Sequence, residues 1–273
     1  MPATAAWLAL ALAASGDAGA VPRPLDEFSA WVGGFETRSD TTLWAQGRAG
    51  DYSASGRVNL EDDLGLGARQ PVSHARLDWL LGERQGLSLE YFGFDRGNTV
   101  RLDRDIEYDG RTYAADGELR GRFDYDFGSA AWRWWFGEGA TAWGLGLGLA
   151  YYRVDTLFEG EATVEGVPVA GRARSSDAAL APLLVLGWRH ALGDQARVYA
   201  ELSGVAKGGG PLQGHIVDLA LGMEWFPFPR LGLALEYGGT QIRLDRSRQG
   251  SDAGLDARLD LKLRGPSLFL RLR

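Results

Sequence analysis

From residue 28 onward, apolar and polar side chains alternate with a period of two. Residues 255–264 are the clearest case. Leu255, Ala257, Leu259, Leu261 and Leu263 fall on one face; Asp256, Arg258, Asp260, Lys262 and Arg264 fall on the other. Period two is the signature of a strand, whose successive side chains point to opposite sides. The runs last about ten residues or more, beyond the usual ~5–6 of a soluble strand. Connections between runs alternate strictly in length. Short turns at 82–86, 137–140, 192–195 and 227–230 are separated by longer polar loops at 103–116, 159–174, 207–214 and 247–254. An antiparallel up-and-down barrel with one short-turn end and one long-loop end has this form. The pattern predicts ten strands, at 28–47, 72–82, 86–102, 117–136, 141–157, 175–191, 195–207, 215–226, 231–245 and 255–273. A turn at residues 38–40 that split the first strand would raise the number to twelve. The fold class is all-β.

With the apolar face turned to lipid, the polar face becomes the lumen. This assigns a charge network to the interior: Glu36, Arg38 and Asp40 on the first strand, Arg76 and Asp78 beside His74 on the next, then Arg120, Arg122, Asp124 and Asp126, and finally Asp256, Arg258, Asp260, Lys262 and Arg264. Arg197, Glu201, Asp218, Glu224, Arg243 and Asp245 join it. The signs are interleaved, which fits a narrow lumen of ion pairs better than a pore selective for one sign. Gly144, Gly146 and Gly148 also face inward, leaving room for a folded-in loop or a small solute. Alternation changes phase near 128–130, 238–239 and 265–266, which points to bulges or glycine kinks there. Trp79, Trp132, Trp134, Trp135, Trp143, Trp188, Trp225 and Phe226 flank the short turns, as an interfacial aromatic girdle would.

Composition adds limits. The 273 residues include 39 glycines and 10 tryptophans but only 10 prolines, a balance suited to twisted strands rather than linkers. There is no cysteine, which excludes disulfides, thiolate metal sites and a thiol nucleophile. The formal charge of −7 leaves no basic surplus for nucleic acid. Residues 1–20, MPATAAWLALALAASGDAGA, read as a secretory leader with a small-x-small cleavage site at 18–20. That leaves 21–273 as one barrel domain. Beyond residue 20 there is no run of about 18 apolar residues of the kind a spanning helix needs.

These features together resemble the outer-membrane β-barrel proteins of Gram-negative proteobacteria. The leader, the alternating hairpins, the aromatic girdle and the last strand, 265–273, carry the resemblance. It extends to uncharacterised barrels with an acidic LEDDLGL segment, here 60–66, followed by a strand such as 87–92. The closing Leu270-Arg271-Leu272-Arg273 departs from the family's usual terminal aromatic; the last aromatic here is Phe269. The resemblance implies an outer-membrane location. It also implies outer-membrane lipid, lipopolysaccharide and the barrel-assembly machinery as partners, with small solutes if the lumen conducts.

Chemistry is sparser. The candidate bases are His74, near Arg76 and Asp78, and His215, near Asp218; His190 reads as interfacial. Ser73, adjacent to His74, points to the opposite side and cannot pair with it. Both histidines also read as members of a polar network. Two acidic stretches, Glu61-Asp62-Asp63 and Asp103, Asp105, Glu107 and Asp109, have the oxygen ligands Ca²⁺ takes. The second is offset by Arg101, Arg104 and Arg111, and neither has calcium-loop spacing. No metal or cofactor is expected. The function expected is that of an integral, non-enzymatic barrel with a structural or surface role, or a narrow channel. A lipid-modifying enzyme of the lipid A deacylase type and a secreted soluble β-sandwich are the alternatives.

Overall fold

The computed structural model describes residues 23–49, 52–62, 69–102, 106–108, 111–113, 117–164, 167–209, 212–249 and 253–273. The expected leader and the acids Asp63, Asp103, Asp105 and Asp109 lie outside them.

Strand periodicity becomes a closed antiparallel ring of ten strands: β1 (Phe28–Ala49), β3 (Arg69–Leu81), β4 (Gln85–Leu102), β7 (Gly117–Phe136), β8 (Thr141–Val164), β9 (Val167–Ala191), β10 (Ala196–Lys207), β11 (Leu212–Trp225), β12 (Leu231–Gln249) and β13 (Ala253–Leu272). Each strand pairs with its neighbour in the ring, and β13 closes onto β1 from Ala30↔Leu272 to Ala49↔Ala253. Closure removes the edges that would otherwise expose unpaired N–H and C=O groups to lipid. A sandwich has no such closure, so the soluble alternative falls. The first strand is not split at 38–40: β1 runs through and pairs on its upper part with a short arm, β2 (Tyr52–Asn59). A small hairpin, β5 (Ile106–Tyr108) with β6 (Arg111–Tyr113), stands apart in a sheet of its own.

Two expectations are corrected. The stretch at 159–174 is largely paired strand rather than loop, because β8 and β9 continue to Val164↔Val167. The expected bulges are also absent. Register runs without a slip between β7 and β8 from Glu118↔Glu161 to Phe136↔Trp143, and between β12 and β13 from Leu231↔Leu272 to Gln249↔Gly254. The phase of the hydrophobic pattern changes at those glycines while the facing of the side chains does not. The inner and outer surfaces must therefore exchange character partway up the barrel.

They do. Call the end with the short turns the lower end. On lower β13, Leu268, Leu270 and Leu272 face outward and are exposed, while Ser267, Phe269 and Arg271 are buried inside. On upper β13, Leu259, Leu261 and Leu263 are buried inside, and Arg258, Lys262 and Arg264 face outward. Other strands repeat the reversal. On β7, Phe123, Tyr125 and Phe127 fill the upper interior, whereas Ala131, Arg133 and Trp135 fill the lower. Outward Tyr91, Tyr151 and Tyr237 mark the boundary, and outward Trp79, Trp132 and Trp143 lie toward the lower end. From Trp143 to Tyr151, β8 rises about 27 Å along the strand. With a tilt of ~40° that is about 20 Å of height, close to the ~25 Å apolar band of such barrels. The lower half is thus the membrane-spanning part, and the upper half is a water-exposed cylinder with an apolar core.

Candidate functional site

The lower lumen is built by alternation within lipid-facing strands. Wherever two outward apolar side chains flank a polar one, the polar one points in. Arg76 lies between Ala75 and Leu77, Arg133 between Trp132 and Trp134, and Arg271 between Leu270 and Leu272; Arg189, between Trp188 and the rim residue His190, points in with them. All four are buried, and four carboxylates meet them.

Glu201 on β10 is the hub. Arg76 donates to it from Nη1 at 2.5 Å and from Nη2 at 2.6 Å, Arg133 from Nη1 at 2.9 Å and Arg189 from Nη2 at 3.4 Å. Below it, the fully buried Glu224 accepts from Arg189 at 3.2 Å and from Arg271. Asp26, which precedes β1, closes the lower mouth. It accepts from Arg197 at 2.7 and 2.8 Å and from Arg271 at 2.8 Å. Asp78 accepts from Arg76 Nε at 3.0 Å and from the Ser88 hydroxyl at 2.6 Å. Aromatic rings fill the gaps: Arg271 lies 4.4 Å over the Trp31 ring, and Arg197 5.1 Å over Phe226. Isolated charges here would each cost several kcal/mol; chained together they form a compensated plug.

Above this layer, a cavity of about 60 Å³ holds His74, Glu90, Asp218 and Glu236, with room for a few water molecules. His74 Nε2 lies 2.8 Å from Glu90, Thr240 donates to Asp218 at 2.5 Å, and the Tyr199 hydroxyl donates to Glu236 at 2.8 Å. The cavity's ceiling is the apolar core, in which Phe92 stacks on Phe127 at 4.8 Å. Higher still, Leu60 is fully buried in that core. The neighbouring Glu61 bonds Thr41 Oγ1 at 2.9 Å and the buried Arg96 at 2.5 Å. The start of the LEDDLGL segment therefore caps the interior from the upper side.

Placement of the candidate residues divides them. Arg76 and Asp78 lie in the lower lumen. Glu36, Arg38, Asp40, Arg120, Arg122, Asp124, Asp126, Asp256, Arg258, Asp260, Lys262 and Arg264 do not: they stand on the outside of the upper cylinder. There they pair across strands, as in Arg258–Asp245 at 2.5 Å and Arg243–Asp260 at 2.9 Å, or along one strand, as in Arg122–Asp124 at 3.1 Å on β7. The inward assignment fails because the medium outside these residues is water, so their apolar neighbours go inside. Gly144 and Gly146 face inward, but the space they leave is taken. A Cβ on Gly144 would sit 2.8 Å from the Trp135 ring, and one on Gly146 would sit 3.0 Å from Arg133 Cγ.

Among the histidines, His74 is inside and bonded to Glu90. His215 is exposed on the outer face of β11, on the opposite side from Asp218, so those two are not partners. His190 bonds Thr141 and stacks on Trp188 at the lower rim. Sequence reasoning missed Asp26, Arg96, Arg133, Arg189 and Arg271. For Arg133 and Arg271 the signal was present, as a lone arginine between outward apolar residues.

No family model matches the chain, and no curated protein matches it. Among solved structures, the chain is similar to the outer membrane protease OmpT from Escherichia coli, at 9% identity over 89% of this chain and 97% of that one, with a TM-score of 0.43. It is similar to the translocator domain of the autotransporter NalP from Neisseria meningitidis, at 12% identity over 87% and 86%, TM-score 0.43. It is also similar to the outer membrane protein OprG from Pseudomonas aeruginosa, at 7% identity over 92% and 99%, TM-score 0.39. These likenesses are of fold alone. An even-numbered closed antiparallel barrel with a lipid-facing belt between tyrosine and tryptophan collars is the architecture of the Gram-negative outer membrane, and that is what and where this protein is.

Proposed function

We propose that the protein is a non-enzymatic outer-membrane barrel with a structural, surface-presenting role, its lumen shut at rest. One observation carries this reading: the interior is filled twice over, by the ion-paired plug below and by the apolar core above. Water-conducting barrels keep a hydrated lumen, and the plug and core leave a cavity of about 60 Å³ between them. The lower half acts as the anchor. The upper cylinder carries its hairpins away from the lipid surface.

Planar-bilayer recording tests the reading. Reconstituted protein that is folded, as judged by a heat-dependent mobility shift, should give no discrete conductance steps. Steady single-channel steps from the unaltered protein would refute the closed lumen and support the narrow-channel alternative.

A further inference from the structure

The lower plug holds more cations than carboxylates. Arg76, Arg133, Arg189, Arg197 and Arg271 meet Asp26, Asp78, Glu201 and Glu224. Arg273 adds a further cation at the rim, 3.8 Å from Asp26. The acids of the cavity above are engaged where they stand: Glu90 with His74, Asp218 with Thr240 and Glu236 with Tyr199. A positive surplus buried inside a protein is costly unless an anion joins it.

The surplus borders a space. Within the plug lies a second cavity, of about 30 Å³, lined by Arg133, Arg189 and Arg271 together with Asp26, Asp78 and Ser29. The two carboxylates already have their cations. Asp26 accepts from Arg197 and Arg271, and Asp78 Oδ2 faces Arg76 at 3.0 Å and Arg189 at 3.7 Å.

The three arginines are not fully used. Their terminal nitrogens go to Glu201, Glu224 and Asp26. Each keeps a buried Nε–H without a hydrogen-bond partner among the described residues. All three side chains are more than nine-tenths buried, and orphaned donors are rare at such depth. The rings beside them, Trp31 at 4.4 Å from Arg271 and Trp135 at 5.7 Å from Arg189, offer only weak acceptors. Arg189 and Arg271 also converge on one carboxylate, Glu224, which brings like charges together.

Size and chemistry select the occupant. The cavity has room for one or two water molecules, or for one halide ion; sulfate and phosphate are too large. Water would accept from two of the donors and leave the surplus charge in place. A halide accepts from every donor around it and supplies the missing negative charge. Leu25, Asp26, Leu80 and Trp135 border both this cavity and the open depression at the lower mouth, which gives a small ion its way in.

We infer that Arg133, Arg189 and Arg271 form a buried binding site for one small monovalent anion, chloride, which completes the plug. The site rests on the packed plug of the closed-lumen reading, yet the two fail separately. Conductance steps would refute the closed lumen; stability indifferent to chloride would refute the site.

The test is urea unfolding of the intact barrel in a non-ionic detergent, followed by the mobility shift, with sodium chloride replaced stepwise by sodium gluconate at constant ionic strength. The midpoint should rise with chloride and saturate. At a hundredfold excess over Kd, the ratio of folded to unfolded protein should be about a hundredfold higher. Bromide should substitute for chloride and sulfate should not, although general salt effects favour sulfate. Arg133→Lys and Arg271→Lys keep a cation for the carboxylates but remove the Nε–H, and each should weaken chloride binding about tenfold. Arg96→Lys, the same change in the upper interior, should leave the chloride dependence as it is. A midpoint that ignores chloride, or climbs without saturating, would show that water fills the cavity and refute the site. A chloride effect undiminished in both cavity variants would also overturn it. If those variants do not fold, crystals of the unaltered protein soaked in sodium bromide decide: an anomalous peak in the cavity supports the site, and its absence refutes it.

Discussion

The two halves of β13 show how one strand obeys two solvents. Below Pro266, leucines point out and the inside is Ser267, Phe269 and Arg271. Above Gly265, leucines point in and the outside is Arg264, Lys262, Asp260 and Arg258. Backbone pairing is continuous across the change. What differs is the medium beyond the barrel wall. Lipid accepts Leu268 at no cost and would penalise a cation there; water accepts Arg258 and would penalise Leu261. The inside takes whatever remains. In the lower half that is charge, which must be compensated residue by residue; in the upper half it is an ordinary apolar core.

The sharpest way to break this comparison is to disturb the compensation. Glu201 accepts from three arginines. Glu201→Ala leaves those guanidinium groups buried without their shared counter-charge, a loss of about 3–5 kcal/mol. Urea unfolding in detergent, followed by the mobility shift, should show a large drop in midpoint. A change below about 1 kcal/mol would mean the lower lumen is hydrated rather than packed.

Next in size is a matched pair on the outside of β13. Leu270→Arg places a cation midway down the lipid belt and should cost about 2–4 kcal/mol. Arg258→Leu, twelve residues up the same face, removes half of an exposed pair and should leave the unfolding midpoint essentially unchanged. The two are compared by unfolding in lipid vesicles. Equal costs would erase the boundary that the tyrosine collar draws.

Much of this fold was legible. The ten strands and the short turns of the lower end follow from period two and from punctuation by glycine and polar residues; the upper ends do not, because β8 and β9 stay paired to Val164↔Val167 through a stretch whose polar residues read as a loop. The sidedness of the upper half was not legible. Period two says that Leu259, Leu261 and Leu263 share a face; it does not say which face. The assumption that leucines meet lipid then required bulges at 128–130, 238–239 and 265–266 to rescue the phase. Three outward tyrosines, Tyr91, Tyr151 and Tyr237, held the missing information, because each stands where the pattern changes phase. The contacts of Asp26 and Glu61 were beyond reach for another reason. Each depends on a segment outside the regular ring turning back onto it, and alternation is silent about such segments.

The interior gives a smaller, pH-dependent test of the lower half. Among the carboxylates at the mouth, Asp26 sits outside the spanning strands. Burial alone would raise its pKa. The hydrogen bond from Arg197 and the charges of Arg271, Arg197 and Arg273 outweigh burial and hold the carboxyl below its ordinary value. A folded-state pKa below the unfolded one contributes stability that is fully present above the unfolded value of about 3.9 and is lost as pH falls through the folded value. Asp26→Asn should therefore cost about 1 kcal/mol at neutral pH. The gap to the parent should narrow below pH 4 and close at the acid end, where both mouths carry a neutral side chain. Other lumen carboxylates titrate in both proteins, so the difference between the two unfolding midpoints isolates Asp26. A gap that stays constant from neutral pH to strong acid would show that Asp26 acts by shape, and that its charge does not hold the mouth closed.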